Sequence, residues 1–315
     1  MGVNMEIKLI KYIMFGFLIL LLLRLFMGED YFHKTTAVSR DSGQITIDRA
    51  YTDSDEVLIL KVNDEFMEKV IKKNDDAKLK VFKENQKKKY MDLYPDMYVE
   101  GVKPIILLEE KKMAYLTFDD GPSYNTTQIL KVLKQYDVKA TFFILGSTIT
   151  EEGKECLKTM AEEGHAIGIH TYSHKSENIY SSVEAFLEDF NLAYQLIYDT
   201  TGVKPNIFRF PWGSVNSYNK KIRNELIEEM ERRGFTYYDW NVDSKDSVGN
   251  PDEYKITRNI VKDLDKYNNP IILLHDASVN KRTVKTLPLI IEKLKEQGFD
   301  FDTLDHREPF QFGNK

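Results

Sequence analysis

The stretch "YLTFDDGPS", residues 115–123, runs an apolar segment, Tyr115 to Phe118, straight into two adjacent carboxylates, Asp119 and Asp120. Gly121 and Pro122 then force a turn. Neighbouring aspartates repel each other and disfavour strands, so a pair at the end of a buried-looking run asks for a chemical reason. Further on, His170 and His174 stand four apart in "HTYSH". On a helix they would share a face, but Gly168 and the flanking Thr and Ser point to a turn. Two histidines plus an aspartate from elsewhere would complete a two-His, one-carboxylate set with open positions, suited to a hydrolytic divalent metal. Taken singly, each signal has a plainer reading. An HxxxH pair is more often surface or core histidine than ligand. Arg209 in "RFPWG" could serve as an ion-pair partner, His275 in "PIILLH" as a satisfied core histidine, and Trp212 and Trp240 as core residues. Three of only six histidines fall in these motifs, which shifts the balance toward function.

Short apolar runs and amphipathic segments must position these groups. The runs are residues 113–118, 139–145, 165–169, 206–210, 235–240, 270–275 and 299–304, with helix-like stretches between them. "TTQILKVLKQYD" begins at Thr126 and Thr127 as caps after Asn125, and "VEAFLEDFNLAYQLIYDTTG" ends on a glycine, as helices often do. Strand alternating with helix predicts a parallel sheet or a β/α barrel. The polar motifs gather at the C-terminal ends of the runs, and in such barrels those ends share one face, where active sites form. The aspartates stand at a strand end because that end opens into a cleft.

The chain has 315 residues, 42% hydrophobic and 30% charged, with a net charge of −6. This fits one large domain with additions and argues against nucleic-acid binding. The single cysteine, Cys156, excludes a disulfide framework and a cysteine-rich zinc site; in "GKECLKTMAEEG" it reads as a buried helix thiol. Residues 9–27 are almost wholly apolar, with Lys8 and Lys11 at the near end and Arg24 at the far end. About 19 residues of helix nearly span a bilayer core. The alternative, a cleavable signal peptide, lacks a small-x-small cleavage pattern in "LFMGEDYFH". The expectation is an uncleaved anchor over 1–27 with everything after it outside a bacterial cell membrane. A stalk follows over 28–109, with a short strand in "SGQITIDRAY" and a charge-dense helix over 61–92, read as a solvated spacer. Residues 308–315 form a tail.

Together and in this order, "TFDDGP", "HTYSH", "RFPW", "DSKD" and "LLH" resemble the five motifs of the polysaccharide deacetylase (NodB-homology) family of carbohydrate esterases. The likeness covers residues 110–307, "VKATFFILG" included, and the layout resembles membrane-anchored peptidoglycan N-acetylglucosamine deacetylases. It implies an α/β fold, a distorted, incomplete (β/α) barrel of about seven parallel strands. Asp120, His170 and His174 would bind a divalent metal, zinc first, with cobalt or another divalent ion as alternatives. Asp119 would be the general base, oriented by Arg209, and His275 the general acid, oriented by Asp246 and raised in pKa by it. Pro211 and Trp212 would form the oxyanion site, with the Trp212 backbone N–H as donor. Leu273 would wall the acetyl pocket. Two departures stand out: Trp212 replaces a common Tyr, and Ser247 follows Asp246 where a pocket-walling Trp is common. The implied reaction is N-deacetylation of peptidoglycan, releasing acetate. The alternatives are another N-acetylated polysaccharide as substrate, or a non-catalytic glycan-binding protein, disfavoured because ligands, base and acid are all present.

Overall fold

A computed structural model describes residues 45–51, 56–62, 90–104 and 111–313. The chain divides into two compact units, Met1–Lys83 and Glu84–Lys315. In the first, β1 (Ile45–Tyr51) pairs antiparallel with β2 (Glu56–Val62), which bears out a strand in "SGQITIDRAY". The anchor expected at 9–27 lies outside the described residues, and so do residues 63–89 of the expected charged helix. Lys61 and Val62 close β2 instead of opening that helix, while Tyr90 and Met91 are helical. Among the described residues, no helix is long and apolar enough to cross a membrane.

The second unit is built on β3 (Met113–Gly121), β4 (Thr141–Leu145), β5 (Ala166–Thr171), β6 (Ile207–Phe208), β7 (Thr236–Tyr237), β8 (Val242–Asp243) and β9 (Ile271–His275). They lie in the order β7-β6-β5-β4-β3-β9-β8, all pairs parallel, and curl into a half-barrel. β10 (Asp300–Phe301) pairs with the start of β3. The seven apolar runs in the sequence correspond to β3–β7, β9 and β10. In this unit only β8 escaped, because Val242 stands between Asn241 and Asp243 and forms no apolar run.

The helices are α1 (Thr126–Gln135), α2 (Glu151–Glu162), α3 (Ser176–Ile179), α4 (Val183–Thr201), α5 (Arg223–Arg232), α6 (Glu253–Leu264) and α7 (Lys281–Glu296). Their starts and stops follow local chemistry. Thr150, Ser182 and Asp252 side chains accept the N–H three residues on, at the starts of α2, α4 and α6. Gly202 ends α4 in the left-handed conformation at φ 74°, as its sequence position predicts. Cys156 is buried on α2. At α1 the expected threonine cap is absent: Asn125 is the N-cap, its side chain donating to the Ala277 carbonyl instead of capping, and Thr126 turns its hydroxyl to Asp276.

Period-two alternation decides which strand residues can do chemistry. In β3, Ala114, Leu116 and Phe118 join the large core beneath the helices. Met113 and Tyr115 join the smaller inner cluster with Phe143, Tyr238, Ile271 and Leu304. Thr117 and Asp119 continue this inner row, so Asp119 is delivered to the barrel interior by the same pleat that buries Tyr115.

Residues 90–99 are tied to the end of α5. The guanidinium of Arg233, fully buried, donates to the carbonyls of Tyr90 and Leu93 at 2.7 and 2.9 Å and, more weakly, to those of Tyr94 and Met97. Its Nε donates to Glu229 at 2.7 Å. The next residue, Gly234, has φ +89°, and a Cβ there would stand 1.9 Å from the Val99 carbonyl oxygen. Gly234→Ala should therefore destabilise the second unit by about 2–4 kcal/mol, through backbone strain and the displaced segment. Denaturant unfolding of the full chain, with proteolysis mapped over 90–104, checks this; unchanged stability would refute it.

Candidate metal centre and active site

The two adjacent aspartates part company at a bulge. Asp119 still pairs in the sheet, opposite Phe143 of β4 and His275 of β9. The β3–β4 register then slips between Asp119 and Gly121, and Asp120 takes φ 69°. A left-handed non-glycine residue costs roughly 1–2 kcal/mol, and bulges of this kind re-aim side chains beside functional sites. Asp119 faces inward; Asp120 swings toward the loop after β5.

The end of β5 and that loop supply the histidines. His170 is in β5, and its Nδ1 donates to the Arg209 carbonyl at 2.9 Å. Since a carbonyl only accepts, Nδ1 carries the proton and Nε2 keeps its lone pair. His174, at φ 54°, has its Nε2 3.7 Å from Asp120 Oδ1, and His170 Nε2 is 3.6 Å from the same oxygen. These are too long for hydrogen bonds. They are close to the spacing of about 3.3 Å between two ligands each about 2.0–2.1 Å from a tetrahedral zinc ion. Asp120 Oδ1 is buried without a hydrogen-bond partner, a costly state that a cation relieves. Burial and the neighbouring His170 hold His174 below its ordinary pKa, in the neutral form that ligates. All three ligand atoms lie within 4.8 Å of one another, so the donor set fits a divalent ion.

Arg209, fully buried, organises the inner side. It donates to Asp119 Oδ1 and Thr117 Oγ1, both at 2.8 Å, and to the Tyr238 and Asp239 carbonyls at 2.9 and 3.2 Å. Its guanidinium lies 4.3 Å from the Phe143 ring centroid. Across from it, Asp246 Oδ1 accepts from His275 Nδ1 at 2.7 Å, while Oδ2 accepts from the His275 N–H and the Thr283 hydroxyl. For His275, burial disfavours the charge, but the hydrogen bond and charge of Asp246, helped by Asp119 and Asp120, outweigh it and raise the pKa to about 9. For Asp246, burial pushes the pKa up, and the bonds from His275 and Thr283 bring it below the ordinary value. Leu273 is buried two residues before His275 on β9.

Pro211 and Trp212 form the rim after β6. The Pro211 carbonyl accepts from the Tyr180 hydroxyl at 3.0 Å and from Asn216 Nδ2 at 3.2 Å. The 211–212 peptide is planar and trans, so fixing that carbonyl also fixes the direction of the Trp212 N–H. Asp239 holds the same loop through Ser214, accepting from its backbone N–H at 2.8 Å and from its hydroxyl at 2.5 Å. It also accepts the Phe312 N–H at 2.7 Å, so residues near the C-terminus brace this corner.

The structure thus brings Asp119, Asp120, His170, His174, Arg209, Asp246 and His275 together at one strand-end face and adds several residues that sequence reasoning missed. Asp189 of α4 accepts the N–H groups of Tyr172 and Ser173, at 2.6 and 3.1 Å, between the two histidines. Its signal was a carboxylate among the apolar positions of a helix. Asp276 binds Thr126 Oγ1 at 2.6 Å and Ser123 Oγ at 3.3 Å, holding the turn after Asp120. Burial, with Asp120 adding to it, raises its pKa to about 7 against those hydrogen bonds. A cleft of about 800 Å³ opens beside Asp120 and His174, lined by Tyr124, Thr127, Lys131 and Thr150.

Residues 108–234 match the family model described as polysaccharide deacetylase. A peptidoglycan-N-acetylglucosamine deacetylase of Bacillus cereus is 33% identical over 207 residues, 64% of this chain and 72% of that protein. The crystal structure of the catalytic domain of a peptidoglycan N-acetylglucosamine deacetylase from Eubacterium rectale is similar with a TM-score of 0.62 at 32% identity, covering 67% of this chain and 96% of that one. A polysaccharide deacetylase from Bacillus cereus gives 0.57 at 32% identity, covering 64% and 97%.

Asp189→Ala should weaken divalent-metal binding by about 10–100-fold, because the segment between the histidines loses its anchor. Asp189→Asn, which keeps an acceptor oxygen, should lose less. Calorimetric titration of metal into folded variants is the measurement, and wild-type affinity in Asp189→Ala would sink the assignment.

Proposed function

This chain belongs to the polysaccharide deacetylase family of amide-bond hydrolases, and on that premise we propose that it deacetylates the N-acetylglucosamine units of cell-wall peptidoglycan. The observation that carries the catalytic reading is the pairing of the Asp120, His170 and His174 set with a separately wired base and acid. The glycan is inferred from relatives named for peptidoglycan at about one-third identity. Residues 9–27 are taken as a membrane anchor on their apolar composition, with the catalytic unit on the outer side of a bacterial membrane.

Asp120, His170 and His174 would hold the ion, with zinc favoured by the nitrogen-rich donor set. When bound, such an ion supplies Lewis-acid polarisation of the acetyl oxygen and makes water more acidic. Arg209 occupies Asp119 Oδ1 and leaves Oδ2 to accept a proton from the attacking water. The water oxygen bonds to the acetamido carbon. The oxygen that becomes negative receives the Trp212 N–H, aimed by the fixed Pro211 carbonyl. His275 keeps Nδ1 on Asp246 and gives the proton of Nε2 to the leaving nitrogen as the carbon–nitrogen bond breaks. Acetate and a free amino sugar result. The glycan gains positive charge.

Acetate release from purified peptidoglycan, measured beside chitin oligomers with and without chelator, tests the reading. Release from peptidoglycan that chelator abolishes and zinc restores is expected; release from chitin oligomers alone would overturn the substrate. Asp119→Asn should keep its metal and lose about 10²–10⁴-fold in turnover.

The raised pKa of His275 sets the pH behaviour. Its folded value, about 9, lies above the ordinary 6.5, so the charged pair with Asp246 is intact below 6.5 and is lost as pH rises through about 9. In the metal-free protein, an NMR titration should find the His275 ring titrating near 9. In Asp246→Asn it should titrate much lower, because burial then prevails, and the alkaline limb of activity should move down with it. An unmoved titration would refute the pairing as its cause.

A further inference from the structure

The rim loop after β6 presents two exposed aromatic rings side by side. Trp212 is 43% exposed, and its ring centroid lies 4.5 Å from that of the ligand His174. Tyr218 is 53% exposed, and its ring centroid lies 4.9 Å from that of Trp212 with the planes at 50°. Neither ring is loose. Asn216 Oδ1 accepts the N–H groups of Tyr218 and Asn219, while Asn216 Nδ2 donates to the Pro211 and Gly213 carbonyls. Asn219 Nδ2 donates to the Ser214 carbonyl. Tyr180 packs behind Trp212 at 6.3 Å. The loop's polar groups are used internally, and the rings stand preorganised at the surface, the arrangement that lets a binding surface act with little ordering cost.

We propose that Trp212 and Tyr218 form a stacking ledge for the glycan, and that Tyr218 reads the sugar next to the one being deacetylated. A pyranose with equatorial substituents presents a face of C–H bonds, which pairs with an aromatic face while its hydroxyls stay in water. Tyrosine and tryptophan suit this because they join an apolar body to a polar tip. The two ring contacts, His174 to Trp212 and Trp212 to Tyr218, extend one aromatic surface from a ligand histidine to Tyr218. Tyr218 lies outside all five motifs and touches neither the ligands nor the base and acid, so its contribution is to chain length rather than chemistry. The inference rests on the deacetylase reading above and adds the need for a neighbouring sugar.

The test uses the metal-loaded full-length chain and β-1,4-linked N-acetylglucosamine oligomers from dimer to hexamer. Wild-type kcat/KM should rise with length. Tyr218→Ala should flatten that rise by about three- to tenfold, mainly through KM. Tyr218→Phe should keep it, because the ring and not the hydroxyl is used. Tyr198→Ala, on the outer end of α4, serves as the control for loss of an exposed tyrosine. An equal loss at every length in Tyr218→Ala, or equal damage from Tyr218→Phe, would overturn the ledge while leaving the deacetylase reading intact. If the wild type releases no acetate from any glycan, that earlier reading fails instead. Tryptophan fluorescence titrated with hexamer then decides the ledge: a saturable change that weakens in Tyr218→Ala upholds it, and no change overturns it.

Discussion

A guanidinium sealed from water is the constraint on which the site depends. Arg209 is fully buried, and removing such a charge from water costs several kcal/mol unless protein groups replace its hydration. They do so from around the barrel: Thr117 and Asp119 of β3, the Tyr238 and Asp239 carbonyls after β7, and the Phe143 face of β4. The inner row of β3 can change from apolar Tyr115 to ionic Asp119 only because this cation meets it. The strand ends are thereby locked together, and the Asp119 carboxylate is held in place.

Two carboxylates in sequence can then do different work because the backbone separates their surroundings. The bulge at Asp120 puts Asp119 beside Arg209 and Asp120 beside the histidines. On the neighbouring strand His275 faces Asp119 in register, so the proposed proton acceptor and proton donor stand across one parallel pair. Asp246, which follows β8, charges His275 without sharing its hydrogen bonds with Asp119. Two ion pairs, Arg209–Asp119 and His275–Asp246, give Asp119 and His275 separate partners.

The strands were legible because buried parallel strands leave apolar runs, and the site was legible because its side chains end those runs. The motif residues fell where the barrel geometry required them. What stayed hidden was support through the main chain. Asp189 and Tyr180 act on backbone N–H and carbonyl groups, and Arg233 gathers four carbonyls from residues 90–97, acceptors that carry no residue-type signature. The left-handed turns at Asp120 and His174 were hidden for a related reason: they are imposed by distant contacts on residues that would choose otherwise. The same holds for β8, whose two residues are a strand only because β9 lies beside them.

The hydrogen bond that sets the His170 tautomer ends on the carbonyl of Arg209, not on a side chain. No single replacement of the acceptor can erase it, since every amino acid brings the same carbonyl. The orientation of the His170 ring is thus buffered against replacement of the Arg209 side chain, whereas the segment leading on to His174 hangs on the Asp189 carboxylate. Drift at position 209 would therefore reach the Asp119 carboxylate, which depends on the Arg209 side chain, before it reached the ring of His170.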